Sequence, residues 1–149
     1  VNLTGVNVLL VEDNELNREI ATAIMKEIGL EVDTAEDGTD AGNIMSSAEG
    51  RKYDLIFMDA AKGQYIHYMP EAVRLLADGG ILMSDNVLQD GDIIESRFAV
   101  ERRNRTIHSR MRDYLYELKH SNVLETSIIP LGDGVALSIK KKKEEKENR

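Results

Sequence analysis

Residues 6–14 read VNVLLVEDN: a near-continuous apolar run, Val6 to Val11, broken by Glu12-Asp13-Asn14. A near-continuous apolar run of this length suits a strand buried on both faces, and such strands belong to parallel sheets. The stretch after it fits that reading. Asn14 is placed to cap a helix with Leu16, Ile20, Ile24 and Ile28 on one inward stripe, and Gly29 stands where a left-handed C-cap belongs. A short strand over Val32–Ala35, a helix over 38–48 and a buried strand LIFM (55–58) ending at Asp59 continue the alternation.

Beyond Asp59 the pattern persists. A helix over 70–76 is predicted to stop at Gly79-Gly80, ahead of a strand over Ile81–Met83 that ends in Ser84-Asp85-Asn86. A long helix over 98–120 follows, with Ile107, Met111, Leu115 and Leu118 inward. Strands over 124–131 and 135–139 are joined by Gly132-Asp133-Gly134, a turn short enough for an antiparallel hairpin. The chain therefore reads as a single α/β domain: a three-layer, doubly wound, mainly parallel sheet with right-handed crossovers, closed by a charged tail over 141–149.

Composition narrows the function classes. The 149 residues carry 42% hydrophobic and 31% charged side chains, enough apolar surface for one core. With no Cys, disulfides, thiolate zinc sites and a cysteine nucleophile are excluded. No apolar run is long enough to span a membrane and no leader precedes Val1, so a cytoplasmic location is expected. The net charge of −8 argues against nucleic acid, and no obligate partner is indicated. Uncovered strand edges and helix faces leave self-association open. The charge is uneven: residues 1–59 hold 13 acidic and 4 basic side chains, residues 60–149 hold 14 and 15.

In parallel sheets ligands bind beyond the C-terminal strand ends, and there the sequence collects Glu12, Asp13, Asp59, Asp85 and Asn86. Converging carboxylates repel unless a proton or cation intervenes. A hard divalent ion, Mg²⁺ or else Ca²⁺ or Mn²⁺, would relieve the repulsion through oxygen ligands. Capping of helix N-termini is the competing role for each acid taken alone.

Two resemblances bear on these acids. VLLVEDN (8–14), Asn17-Arg18, AEDG (35–38) and YDLIFMD (53–59) resemble a response-regulator receiver domain over about residues 5–59. That likeness implies a cation held by Glu12 and Asp13, with Asp59 as phospho-acceptor. MDAAKGQY (58–65), GGILMSDN (79–86), NVLQD (86–90) and IPLGDGV (129–135) resemble the C-terminal half of a cation-dependent, SAM-dependent O-methyltransferase of the catechol/caffeoyl-CoA type, over about residues 57–140. It implies Asp59, Asp85 and Asn86 as cation ligands and Lys62 as the base assisting the substrate hydroxyl. By analogy the sheet order is 2-1-3-4-6-5, with the last strand antiparallel.

The turn after the first strand has no glycine for close backbone approach to a cofactor, and its carboxylates oppose that of SAM. Glu36 or Asp37 could meet a ribose. On this reading SAM binding is not expected. The likenesses meet at Asp59, where the charge balance also changes, and together they read as an engineered chimera: a scaffold without catalytic turnover that keeps an acidic, cation-binding cluster. A phospho-accepting module and an O-methyltransferase are the alternatives.

The remaining signals have plainer readings. The arginines 97–112 suit a solvated helix face. His67, His108 and His120 suit surface or helix-end positions. Tyr65, Tyr68, Tyr114 and Tyr116 suit partial burial with wet hydroxyls, and Met25, Met45, Met58 and Met111 suit core filling.

Overall fold

Val8, Leu9, Leu10 and Val11 are almost wholly buried because their strand, β1 (Asn7–Glu12), runs inside the sheet with a parallel neighbour on each side. The computed structural model describes residues 3–37, 40, 41, 43, 52–60, 62–88 and 102–142, the side chains of residues 62 and 102–105 excepted. The other strands are β2 (Glu31–Ala35), β3 (Tyr53–Asp59), β4 (Leu76–Asp85), β5 (Leu124–Ile129) and β6 (Val135–Lys140). They form one six-stranded sheet in the order β2-β1-β3-β4-β6-β5, parallel from β2 to β4. The hairpin of β5 and β6 is antiparallel, and β6 inserts antiparallel beside β4. The architecture and strand order expected from the sequence are those observed.

Among the described residues, helices run over Glu15–Glu27 (α1), Tyr65–Leu75 (α2) and Arg102–His120 (α3), with a 3-10 turn at Lys62–Gln64. One sheet face, carrying Leu9, Val11, Ile56, Met58, Leu82 and Ala136, packs against Ala72 and Leu75 of α2 and Met111, Tyr114 and Leu118 of α3. Burying each large apolar side chain here stabilises the fold by about 1.5–3 kcal/mol. Lys140 closes this layer: its ammonium donates to the carbonyls of Val73 and Leu76 (2.8 and 2.9 Å) at the C-terminal end of α2. Within the core face, the β3–β4 register shifts between Tyr53 and Leu55.

Several local expectations need correction. Asn14 caps α1 as predicted, accepting from the Asn17 N–H at 2.9 Å, and Gly29 adopts φ 98°. The stripe Leu16, Ile20, Ile24 and Ile28, however, faces outward, and α1 has no fully buried residue. Half-buried Arg18, Ala21, Thr22 and Met25 turn toward the sheet instead. Helix α2 contains Pro70 as expected, but ends at Leu75, so Gly79-Gly80 lies within β4 instead of stopping a helix. Ile107 is exposed where it was expected inward. Most of the helix expected over 38–48, the first residues of that expected over 98–120, Met45 and the end of the charged tail lie outside the described residues. No described helix is long and apolar enough to cross a membrane.

Candidate active site

The parallel register fixes which acids become neighbours. β1 and β3 bring Glu12 level with Asp59, and β3 and β4 bring Met58 level with Ser84, so Asp59 and Asp85 end adjacent strands side by side. Glu12 is 4% exposed; its carboxyl accepts from the Asn14 N–H at 3.0 Å and lies beside that of Asp59. Burial, then the neighbouring Asp59 carboxyl and the charge of Asp13, push its pKa up to about 7, against the lowering effect of the Asn14 bond. Arg18 donates to the Glu12 carbonyl at 2.9 Å and lies 3.5 Å from Glu36, which follows β2. Asp13 is exposed.

Asp85 accepts from the Asn86 N–H at 2.9 Å, and Asn86 itself sits at φ 58°. Asparagine tolerates this left-handed conformation better than most residues, which suits it to the sharp exit from β4. Beneath these acids lie two tyrosines that were expected to be half wet but are fully buried. The Tyr65 hydroxyl donates to the carbonyls of Met58 (3.3 Å) and Asp85 (3.2 Å), tying together the ends of β3 and β4. Its ring meets Tyr114 edge to face at 5.5 Å, and the Tyr114 hydroxyl is bonded to Ser84, which is also fully buried. Burial drives both phenols well above the usual tyrosine range. The position of Tyr65, six residues past the strand-end Asp59, was the available clue to its role; nothing local marked Tyr114.

The five predicted ligands therefore do not form one cluster. Among the described residues no three His, Asp or Glu side chains come together closely enough to hold a metal ion. Glu12 pairs with Asp59, Asp13 turns to solvent, and Asp85 with Asn86 makes a second group. Asp59, Asp85 and Asn86 still offer two carboxylates and an amide oxygen, a donor set suited to a hard cation that keeps waters. Lys62 opens the 3-10 turn after β3; its side chain is outside the described residues. His108, expected at the surface, is buried on α3, with no partner for either ring nitrogen among the described residues.

A mixed sheet in the order β2-β1-β3-β4-β6-β5, with β6 inserted antiparallel and acids at the parallel strand ends, defines the Rossmann-like methyltransferase class. The O-methyltransferase family model matches residues 6–141, and the chain belongs to that family. It is 28% identical over 139 residues to caffeoyl-CoA O-methyltransferase 2 of Populus trichocarpa, covering 87% of this chain and 55% of that protein. The chain thus spans about half the length of that plant relative. An O-methyltransferase from Bacillus cereus in complex with SAH shares the fold over 91% of this chain and 74% of its own, with TM-score 0.67 and 18% identity. The tomaymycin-synthesis O-methyltransferase of Streptomyces achromogenes in complex with SAM does so over 91% and 61%, with TM-score 0.64 and 18% identity.

These findings overturn the chimera. The family match runs unbroken through residue 59, where the receiver likeness stopped, so neither a receiver fragment nor a phospho-accepting Asp59 stands. Both folds end a parallel strand in a functional Asp, which is why short motifs suggested two origins. The scaffold reading, without catalysis, falls with the chimera. The expectation against SAM also falls, because the chain belongs to the O-methyltransferase family; neighbours solved with SAH and with SAM share its fold.

Charge was weak ground against SAM, which carries a sulfonium, an ammonium and one carboxylate and so has a net positive charge. At Glu12 a pKa of about 7 leaves much of the carboxyl neutral, and the Arg18 guanidinium stands beside its carbonyl. The glycine-free turn remains a departure from the family pattern.

Proposed function

We propose that this chain forms the cofactor- and cation-binding part of a SAM-dependent O-methyltransferase that methylates a hydroxyl of an aromatic diol. The observation carrying this reading is the family match over residues 6–141 together with the side-by-side ends of β3 and β4. Asp59, Asp85 and Asn86 hold a divalent cation, and Glu36 accepts hydrogen bonds from the ribose hydroxyls. When bound, the cation acidifies the substrate hydroxyl and SAM supplies the methyl group.

The chain's own residues do the rest. Lys62, at the head of the turn after β3, takes the hydroxyl proton. Tyr65 keeps the two strand ends at fixed separation through its bonds to Met58 and Asp85. Arg18 and a protonated Glu12 lower the repulsion felt by the cofactor's carboxylate. The diol class rests on the plant relative, whose name gives a caffeoyl thioester.

Calorimetric titration with SAM, with and without Mn²⁺, tests the proposal. Saturable SAM binding is expected, and Mn²⁺ binding that Asp85→Asn weakens at least tenfold. No heat of SAM binding in either condition refutes it.

A further inference from the structure

The register that sets Glu12 level with Asp59 also fixes its other neighbour. Val11 of β1 pairs with Ala35 of β2, so Glu12 and Glu36 are the next residues at two adjacent strand ends. One side chain spans them. Arg18 donates to the Glu12 carbonyl at 2.9 Å through one guanidinium nitrogen, and the other lies 3.5 Å from Glu36 Oε1. The Arg18 side chain is 17% exposed and that of Glu36 69%, so a packed fork restrains a carboxylate that would otherwise sample many rotamers. We propose that Arg18 is the positioning residue of the ribose subsite: it holds Glu36 with Oε2 left to accept from a ribose hydroxyl, and so sets the preference for a ribonucleoside. This rests on the assignment of Glu36 to the ribose.

Helix α1 gains nothing from a cation at this position. Arg18 is its fourth residue, close to the positive end of the helix dipole, where an acid such as Glu15 is favoured. The side chain instead leans back past the helix start, the direction in which helical Cβ atoms tilt, and reaches Glu12. A lysine would not serve both contacts, because its ammonium is a point charge on a flexible stem. Lys26, the other cation lining the cleft between α1 and β2, lies eight residues, about 12 Å, further along the helix. The Glu36 backbone is held as well, its N–H donating to Asp40 Oδ2 at 3.1 Å. A carboxylate ordered before the ligand arrives loses less freedom on binding. An acceptor aimed at a hydroxyl also rejects the analogue that lacks it.

Amide NMR titration of the whole chain with adenosine and with 2′,3′-dideoxyadenosine, into the millimolar range, provides the test. Neither probe carries the carboxylate of SAM, so the two differ at the ribose alone. The wild type should prefer adenosine by about tenfold or more. Arg18→Lys should cut that preference about fivefold and leave dideoxyadenosine binding unchanged. Arg18→Gln, which can still donate to the Glu12 carbonyl, should do the same and carries the test if Arg18→Lys does not fold. In the Glu36→Gln background, Arg18→Lys should change nothing further. An unaltered preference in the Arg18 variants, an equal loss of both nucleosides, or a further loss in the Glu36→Gln background would overturn the proposal. SAM binding by a wild type with no ribose preference overturns it alone, whereas binding of neither SAM nor adenosine overturns the cofactor reading with it.

Discussion

Replacing Glu12 by Gln should make the protein more stable at alkaline pH and leave it unchanged in acid. Glu12 is nearly inaccessible, and its carboxyl, ordinarily near 4.5, is pushed up to about 7 by burial and by Asp59. Between these values the folded chain keeps a proton that the unfolded chain has lost. Stability therefore falls as pH rises through this window, by about 3 kcal/mol in total at 1.36 kcal/mol per pH unit. Below about pH 4.5 the cost is absent. Gln keeps an acceptor for the Asn14 N–H and gains a donor toward Asp59, so it reproduces the protonated acid without its titration. Urea unfolding of both proteins in EDTA at about pH 4, 6 and 8 measures the effect. The midpoints should coincide at pH 4 and separate progressively, with Glu12→Gln ahead by up to about 3 kcal/mol at pH 8. Parallel curves, or a variant weaker at pH 8, would refute the claim that a buried proton sits between the ends of β1 and β3.

Tyr65→Phe should cost about 1–3 kcal/mol in a chemical melt, because the Met58 and Asp85 carbonyls lose their shared donor, and should weaken Mn²⁺ binding about 10–100-fold by calorimetry; unchanged affinity would separate the strut from the cation site. Gly80→Ala should destabilise by about 1–3 kcal/mol in urea, since a Cβ there would lie 2.8 Å from the Ala77 carbonyl oxygen and 3.1 Å from that of Tyr53. A change under about 0.5 kcal/mol would show that the backbone yields. His108→Leu should raise the thermal midpoint, with a gain of about 1 kcal/mol from removing two unpartnered buried nitrogens; a loss of that size would reveal a partner.

The sheet was legible because its information is local. Apolar runs ending in acids mark parallel strands, and a turn of three residues between two strands leaves only a hairpin; the order from β2 to β5 came by analogy with the methyltransferase resemblance. The stripe of α1 was read inward because periodicity reports amphipathicity and not which face the sheet covers; Arg18 took the inner position by bonding the Glu12 carbonyl. Tyr65 and Tyr114 were read as half wet for the opposite reason. Their hydroxyls are satisfied by backbone and by Ser84, partners that only the register of β3 and β4 brings near. The identity of the site was lost at Asp59 and at the glycine-free turn, where a few residues shared by two doubly wound folds outweighed the longer pattern.

Methyl transfer measures the central claim most directly. The chain, supplied with SAM, a simple aromatic diol and Mn²⁺, should yield monomethylated product by mass spectrometry. The product should be lost with EDTA and with Asp85→Asn, while both proteins remain folded. Product formed equally well in EDTA would contradict the role given to Asp59, Asp85 and Asn86. No product, with no SAM bound, would contradict the proposed activity itself.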